Sequence, residues 1–246
     1  MPYSFITYTR QGHVAYITLN RPAAGNAINV PMAQEIVDAC LQVNQDDEVY
    51  VVVLAANGVA FCTGGELTGE PQCHPASALA AINRPVIAAI NGDASGKGLE
   101  LALSADIRLA SDQAHFGMPQ VGLGIIPDDG GTQRLPRIIG KGKAMEMLLT
   151  AESITAAEAV EIGLVNKIVP PSQLAAETEA IAVTMAAKGP VSLRYIKEAV
   201  HKGLDLTLEQ GLRLEGDLYF ILHTTSDRTE GIKAFLEKRP PGFKGK

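Results

Sequence analysis

The stretch RPVIAAINGDASGKGLELALSAD, residues 84–106, limits what this chain can fold into more than any other. Its apolar run PVIAAI, opened by Pro85, reads as a buried strand. A loop holding Gly92, Gly96 and Gly98 follows, and an apolar helix is predicted to begin near Leu99. A strand that feeds a helix through glycines presents free backbone N–H groups at the positive end of the helix dipole, where negative charge is stabilised. Glu100 brings a carboxylate into the first turn of this helix, among Leu, Ala and Ser. Acidic residues also favour first turns for dipole reasons alone, so on this feature by itself a structural and a functional role stay equally open.

The same plan recurs along the chain. Residues 4–9 and 13–19 read as paired strands around Gln11-Gly12, and Asn20-Arg21-Pro22 breaks the second. Pro31 sits at a helix start, with Met32, Ile36, Val37, Cys40 and Leu41 on one face. Residues 49–55 form a valine-rich run suited to a strand covered on both sides. A second glycine loop, FCTGGEL at 61–67, follows that strand, and residues 68–83 are short and weakly patterned. Residues 107–110 read as a further strand, so the unit of strand, glycine loop, helix and strand builds a spiral of ββα-like turns within an α/β fold. Beyond Thr132 helices dominate: Met145, Leu148 and Leu149 share a face, and Thr155 with Glu158 forms a capping box. Gly189-Pro190 marks the boundary between a core at 1–189 and a helical region at 190–246, and the tail KRPPGFKGK is expected to be an exposed arm.

Composition excludes several classes. A formal net charge of −6 argues against a nucleic-acid surface, which needs clustered Lys and Arg. Three cysteines without a CxxC pair and five scattered histidines offer neither a disulfide framework nor a metal site. No apolar run approaches the roughly 20 residues of a membrane helix, and the N-terminus alternates like a strand at once, so a cytoplasmic protein without a targeting segment is expected.

Several motifs in register then identify a resemblance. NRP at 20–22, FCTGG at 61–65, PVIAAINGDASGKGLELALSAD at 85–106, FGMP at 116–119, GLGIIPDDGGTQRLPR at 122–137 and FLEKR at 235–239 resemble the enoyl-CoA hydratase/isomerase (crotonase) family nearly end to end. GKGLEL, by contrast, lacks the last glycine of a dinucleotide fingerprint. The resemblance implies a crotonase-like spiral of ββα units, a C-terminal helical region that builds a homotrimer or a dimer of trimers, and an acyl-CoA substrate. It implies no cofactor beyond the coenzyme A of that substrate, and no metal. It implies chemistry through an enolate whose thioester oxygen is held by two backbone N–H groups, here those of Gly65 and Lys97; each such donor supplies about 3 kcal/mol to the transition state.

The chain departs from the family pattern at informative places. Lys97 stands where glycine is usual; its side chain is expected to face solvent, the alternative being an inward ammonium paired with the enolate or with Glu100. Of the two glutamates that family hydratases use, one maps onto Glu100 and the other onto Gln120, which can hydrogen-bond a water but cannot exchange a proton. Asp128, eight residues on, occupies the position of the proton-shuttling aspartate of family isomerases. The competing reading is that Asp128-Asp129 caps the helix opening at Gly130-Gly131, and Asp129 is assigned to that cap. The segment from Glu66 to Arg84 is shorter than in familiar hydratases and implies a more open acyl pocket, suited to branched or cyclic groups. For CoA, the resemblance points to Arg21, Thr63, Gly64, Phe235 and Lys238; Phe235 could equally be helix-packing core. Water addition and double-bond migration both stay open. So do hydrolysis of a thioester or a β-diketone carbon–carbon bond, and CoA binding without turnover.

Overall fold

A computed structural model describes residues 3–66 and 73–246. In chain order, β1 (Ile6–Gln11) and β2 (Val14–Leu19) form a hairpin, followed by α1 (Val30–Gln45), β3 (Val51–Ala56), α2 (Pro75–Ala80) and β4 (Val86–Ile90). Then come β5 (Ala94–Ser95), α3 (Lys97–Leu103), β6 (Ile107–Ser111), β7 (His115–Gly117), α4 (Gly131–Ile139) and α5 (Lys141–Thr150). The chain continues through β8 (Ile154–Thr155), α6 (Ala156–Glu161), β9 (Lys167–Val169), α7 (Pro171–Ala186), α8 (Pro190–Gly203), α9 (Leu208–Leu222) and α10 (Ser226–Leu236). A six-stranded sheet runs β1-β2-β3-β4-β6-β9, antiparallel only at β1–β2, and a three-stranded sheet runs β5-β7-β8. The expected α/β class with a helical C-terminal region is what the chain adopts.

The uninterrupted apolar strands explain where the core lies. Successive side chains of a strand alternate faces, so β3 sends Val52 and Leu54 into one apolar cluster and Val51 and Val53 into another. The first cluster is closed by α1, through Met32, Ala33, Ile36, Ala39, Cys40 and Val43, and the second by α7 through Leu174 and Ala182. Parallel strands need helices on both faces, which is why these strands carry no polar alternation. On α1 the buried stripe is shifted from the one expected: Val37 is half-buried and Leu41 exposed, because Ala33, Ala39 and Val43 pack instead. On α5 Ala144 and Met147 are buried, whereas Met145 and Leu149 face outward.

Helix α8 is fastened to the sheet by charge. Lys197 Nζ reaches Asp106 Oδ2 at 2.8 Å and the Arg84 carbonyl at 3.0 Å, while His201 Nε2 meets Asp106 Oδ1 at 2.8 Å. Helices α9 and α10 bury little in one protomer: Leu208, Phe220, Phe235 and Leu236 are largely exposed. The tail is not the free arm expected of a basic, proline-broken segment. Arg239 forms a paired contact with Glu230, and Asp227 accepts the Lys244 and Gly245 amides at 2.7 Å, so the tail folds back over the start of α10.

Candidate active site

The two glycine loops meet. Gly96, at φ +51°, turns the chain from β5 into α3, and a Cβ there would stand 3.7 Å from the Gly64 Cα. Two residues on, a Cβ at Gly98 would sit 2.1 Å from the Cys62 carbonyl oxygen, so only glycine lets α3 lie against the 61–65 loop. The loops are tied by the Ser95 amide donating to the Cys62 carbonyl at 2.9 Å and the Cys62 amide to the Asp93 carbonyl at 3.0 Å, while the Ile28 amide holds the Gly64 carbonyl at 2.9 Å from outside both loops. Among the described residues neither the Gly65 nor the Lys97 amide donates to a backbone or side-chain acceptor outside its own element, and Lys97, opening α3, has no carbonyl four residues back within the helix.

Both amides border one cavity of about 580 Å³. Thr63, Gly64, Glu66, Gly96, Gln120 and Asp128 line its polar side, and Leu123, Ile125 and Ile126 its apolar side. Ile125 and Ile126 are partly exposed there, an arrangement that leaves an apolar wall available to a ligand.

Glu100 lies one turn into α3 and is fully buried behind the strip that carries Asp128. Its Oε1 accepts the amides of Asp129 and Gly131, both at 2.8 Å, while its Oε2 is buried without a partner among the described residues. Burial raises its pKa above the ordinary carboxyl value and the Asp128 charge adds to this, while the two amides and Lys97 oppose it. The result is a carboxyl that keeps its proton to a higher pH than a solvated one. Gln120 is also buried, with Oε1 unpartnered among the described residues and Nε2 beside Gly96.

Two side chains depart from expectation, and for a third, Phe235, the sequence allows two readings. Lys97 does not face solvent. Its stem lies over Gly65, where a Cβ would come within 2.7 Å of Lys97 Cδ, and its ammonium meets Asp128 Oδ1 at 2.7 Å rather than Glu100. Asp129 does cap a helix, but not the one it precedes: its carboxylate accepts the Ala76 and Ser77 amides at 2.7 and 3.0 Å and the Ser77 hydroxyl at 2.6 Å, closing the start of α2. Helix α4 instead opens on Gly130, which has no side chain to cap it, and Glu100 takes the amide of its first residue, Gly131. Phe235 is not core: it is 82% exposed.

The residues suggested for CoA divide. Thr63 and Gly64 line the cavity. Arg21 does not; it donates to the Ala27 carbonyl and pairs with Glu66 at 2.5 Å. Phe235 stands at the exposed end of α10 and Lys238 just beyond it, both outside the cavity. Sequence reasoning gave no part to Glu66 or to the Leu123–Ile126 wall, although the motif GLGIIPDD contains it and its adjacent isoleucines were a readable signal. The shortened segment lies partly outside the described residues, at 67–72, and the openness inferred from it rests there. No group of metal-binding side chains occurs among the described residues, and no helix there is long and apolar enough to cross a membrane.

The family model described as enoyl-CoA hydratase/isomerase matches residues 9–246. The chain is 38% identical to a crotonyl-CoA hydratase of Syntrophomonas wolfei over 257 residues, covering 99% of each. It is 39% identical to a 2,3-dehydroadipyl-CoA hydratase of Escherichia coli, covering 99% of this chain and 100% of that one. Among solved structures, an enoyl-CoA hydratase of Bacillus anthracis superposes with a TM-score of 0.93 at 38% identity, over 99% of this chain and 100% of that one.

Proposed function

The chain belongs to the enoyl-CoA hydratase/isomerase family, and from that premise we propose that it adds water across the double bond of a 2-enoyl-CoA. The observation that carries this reading is Glu100: one oxygen pinned by two amides, the other buried and, among the described residues, unpartnered, behind a cavity bordered by two backbone N–H groups that the described residues leave uncommitted. In this reading the Gly65 and Lys97 amides hold the thioester oxygen as negative charge builds on it. Water attacks C3 and gives a proton to the Asp128 carboxylate. Glu100, whose acidity burial weakens, delivers a proton to C2 from Oε2. Gln120 accepts a hydrogen bond from the water but moves no proton. Return of the proton from Asp128 to Glu100 through solvent closes the cycle with one water consumed.

A second reading, migration of a double bond, is favoured by Asp128 itself, a carboxylate that lines the cavity next to the residue whose amide Glu100 accepts. There one carboxyl would take a proton from C4 and the other return one to C2. The substrate is an acyl-CoA, and no cofactor beyond its own coenzyme A enters the scheme. Phe235 and Lys238 would reach CoA on a neighbouring protomer. This accords with the uncovered apolar side chains of α9 and α10 and with assembly as a homotrimer or a dimer of trimers, residues 1–189 forming the catalytic core and 190–246 the helical region.

Incubation with crotonyl-CoA and with a 3-enoyl-CoA, followed by mass analysis, tests the reading. A gain of one water on crotonyl-CoA is expected. Isomerisation without water gain would select the second reading, and release of free CoA would replace both with thioester hydrolysis.

A further inference from the structure

Lys97 is the least explained side chain in the cavity. Its backbone amide suffices for the oxyanion role, so the scheme above asks nothing of the ammonium. Yet the side chain is only 14% exposed, its stem occupies the space beside Gly65, and both it and Asp128 line the acyl cavity. An ammonium has three donors. Among the described residues Nζ makes one hydrogen bond, to Asp128 Oδ1 at 2.7 Å. Removing a lysine from water disfavours its charge unless acceptors replace the lost hydration, so an ammonium with one of its three donors engaged among the described residues, in a ligand cavity, is a site for a further oxygen anion.

We propose that Lys97 is a specificity residue that selects a short acyl group ending in a second carboxylate, held between the Lys97 ammonium and the Gln120 amide. This rests on the acyl-CoA reading of the same cavity. Reach supports the assignment. If the Lys97 amide holds the thioester oxygen, the ammonium at the end of its four-carbon stem stands about as far from that oxygen as the fourth to sixth carbon of an acyl chain. Charge supports it too. Glutamine at 120 places a neutral donor and acceptor beside Gly96, where a second glutamate would repel an incoming carboxylate. Asp128, 41% exposed at its side chain, can share the ammonium or turn toward solvent as the ligand arrives. The apolar wall of Leu123, Ile125 and Ile126 packs the methylenes between the two ends.

The test uses saturated CoA thioesters, which bind without turning over, in matched pairs: succinyl with butyryl, glutaryl with pentanoyl, adipyl with hexanoyl. Dissociation constants are measured by calorimetry on the full chain. The wild type is expected to bind the carboxylated member of at least one pair about 10-fold more tightly, the scale of one charge-assisted hydrogen bond. Lys97→Met is expected to bring that pair within about 2-fold, Lys97→Arg to keep most of the preference, and Asp128→Asn to increase it by removing the competing negative charge. Absence of preference in all three pairs, or a preference unchanged by Lys97→Met, overturns the proposal. Crotonyl-CoA hydration followed on the wild-type preparation separates the two failures: no preference in the wild type with hydration present removes this inference alone, and no hydration together with no binding of any thioester removes the acyl-CoA reading with it.

Discussion

Two lysine–aspartate pairs of nearly equal length do opposite things in this molecule. Lys197–Asp106 joins α8 to the sheet at 2.8 Å, and Lys97–Asp128 spans the cavity at 2.7 Å. In the first pair every oxygen is engaged: Asp106 also accepts His201 and the Val86 amide, and Lys197 also donates to the Arg84 carbonyl. Their side chains are 18% and 8% exposed. In the second, among the described residues, the ammonium holds one carboxylate oxygen and nothing else, and Asp128 is half open to solvent. A saturated pair is a fastening, and an unsaturated one in a cavity is a place for a ligand. Glu100 belongs with the second kind, since only one of its two oxygens is engaged.

The largest expected effect lies on the saturated pair. Asp106→Asn leaves the buried Lys197 without its counter-charge and should cost about 3 kcal/mol of stability, measured by urea unfolding, with no change in acyl preference. Burial works to raise the Asp106 pKa, but His201, Lys197 and the Val86 amide outweigh it and hold the carboxyl below its ordinary value. The unfolded chain therefore takes up the proton first as pH falls. The stability contributed by this group is complete above the unfolded value of about 3.9 and is lost as pH drops through the folded one.

Glu100 gives the reverse sign. Its folded pKa is raised chiefly by burial, so between the unfolded value of about 4.3 and the folded one the native state holds the extra proton. Its contribution is full below that window and declines as pH rises through it, by about 1.4 kcal/mol for each unit of displacement. Glu100→Gln carries no such titration. The stability of the variant relative to wild type should rise from acid to neutral pH while its activity falls. A constant difference across that range would show that Glu100 is not held in a desolvated site. The smallest effect is on the open pair: Lys97→Met should change stability by less than about 1 kcal/mol, since partly exposed pairs contribute little. A larger loss would place Lys97 with the fastenings and break the contrast.

What could be read from the sequence follows the range of the interaction that decides it. The buried strands β3 and β4 were legible because a run such as VVVL or VIAAI is apolar on both faces by itself. The Thr155–Glu158 capping box was legible for the same reason, with donor and acceptor three residues apart. Asp129 was misplaced because its partners, the Ala76 and Ser77 amides, lie more than fifty residues away, while the adjacent α4 offered a nearer and false target. Lys97 turned inward for two reasons invisible in its neighbourhood: Gly65 leaves room for its stem, and Asp128, 31 residues on, waits at its end. Phe235 fits the pattern of a packed helix residue equally well, yet it stands exposed, and nothing in its own neighbourhood of the sequence tells the two apart.

The account turns on one proton, and exchange at C2 follows it directly. Butyryl-CoA incubated with enzyme in deuterated water and analysed by mass should gain deuterium at C2 with the wild type, and at least about 10²-fold more slowly with Glu100→Gln. Exchange at the wild-type rate in Glu100→Gln would mean that another group handles the C2 proton, and the assignment of this site would be wrong.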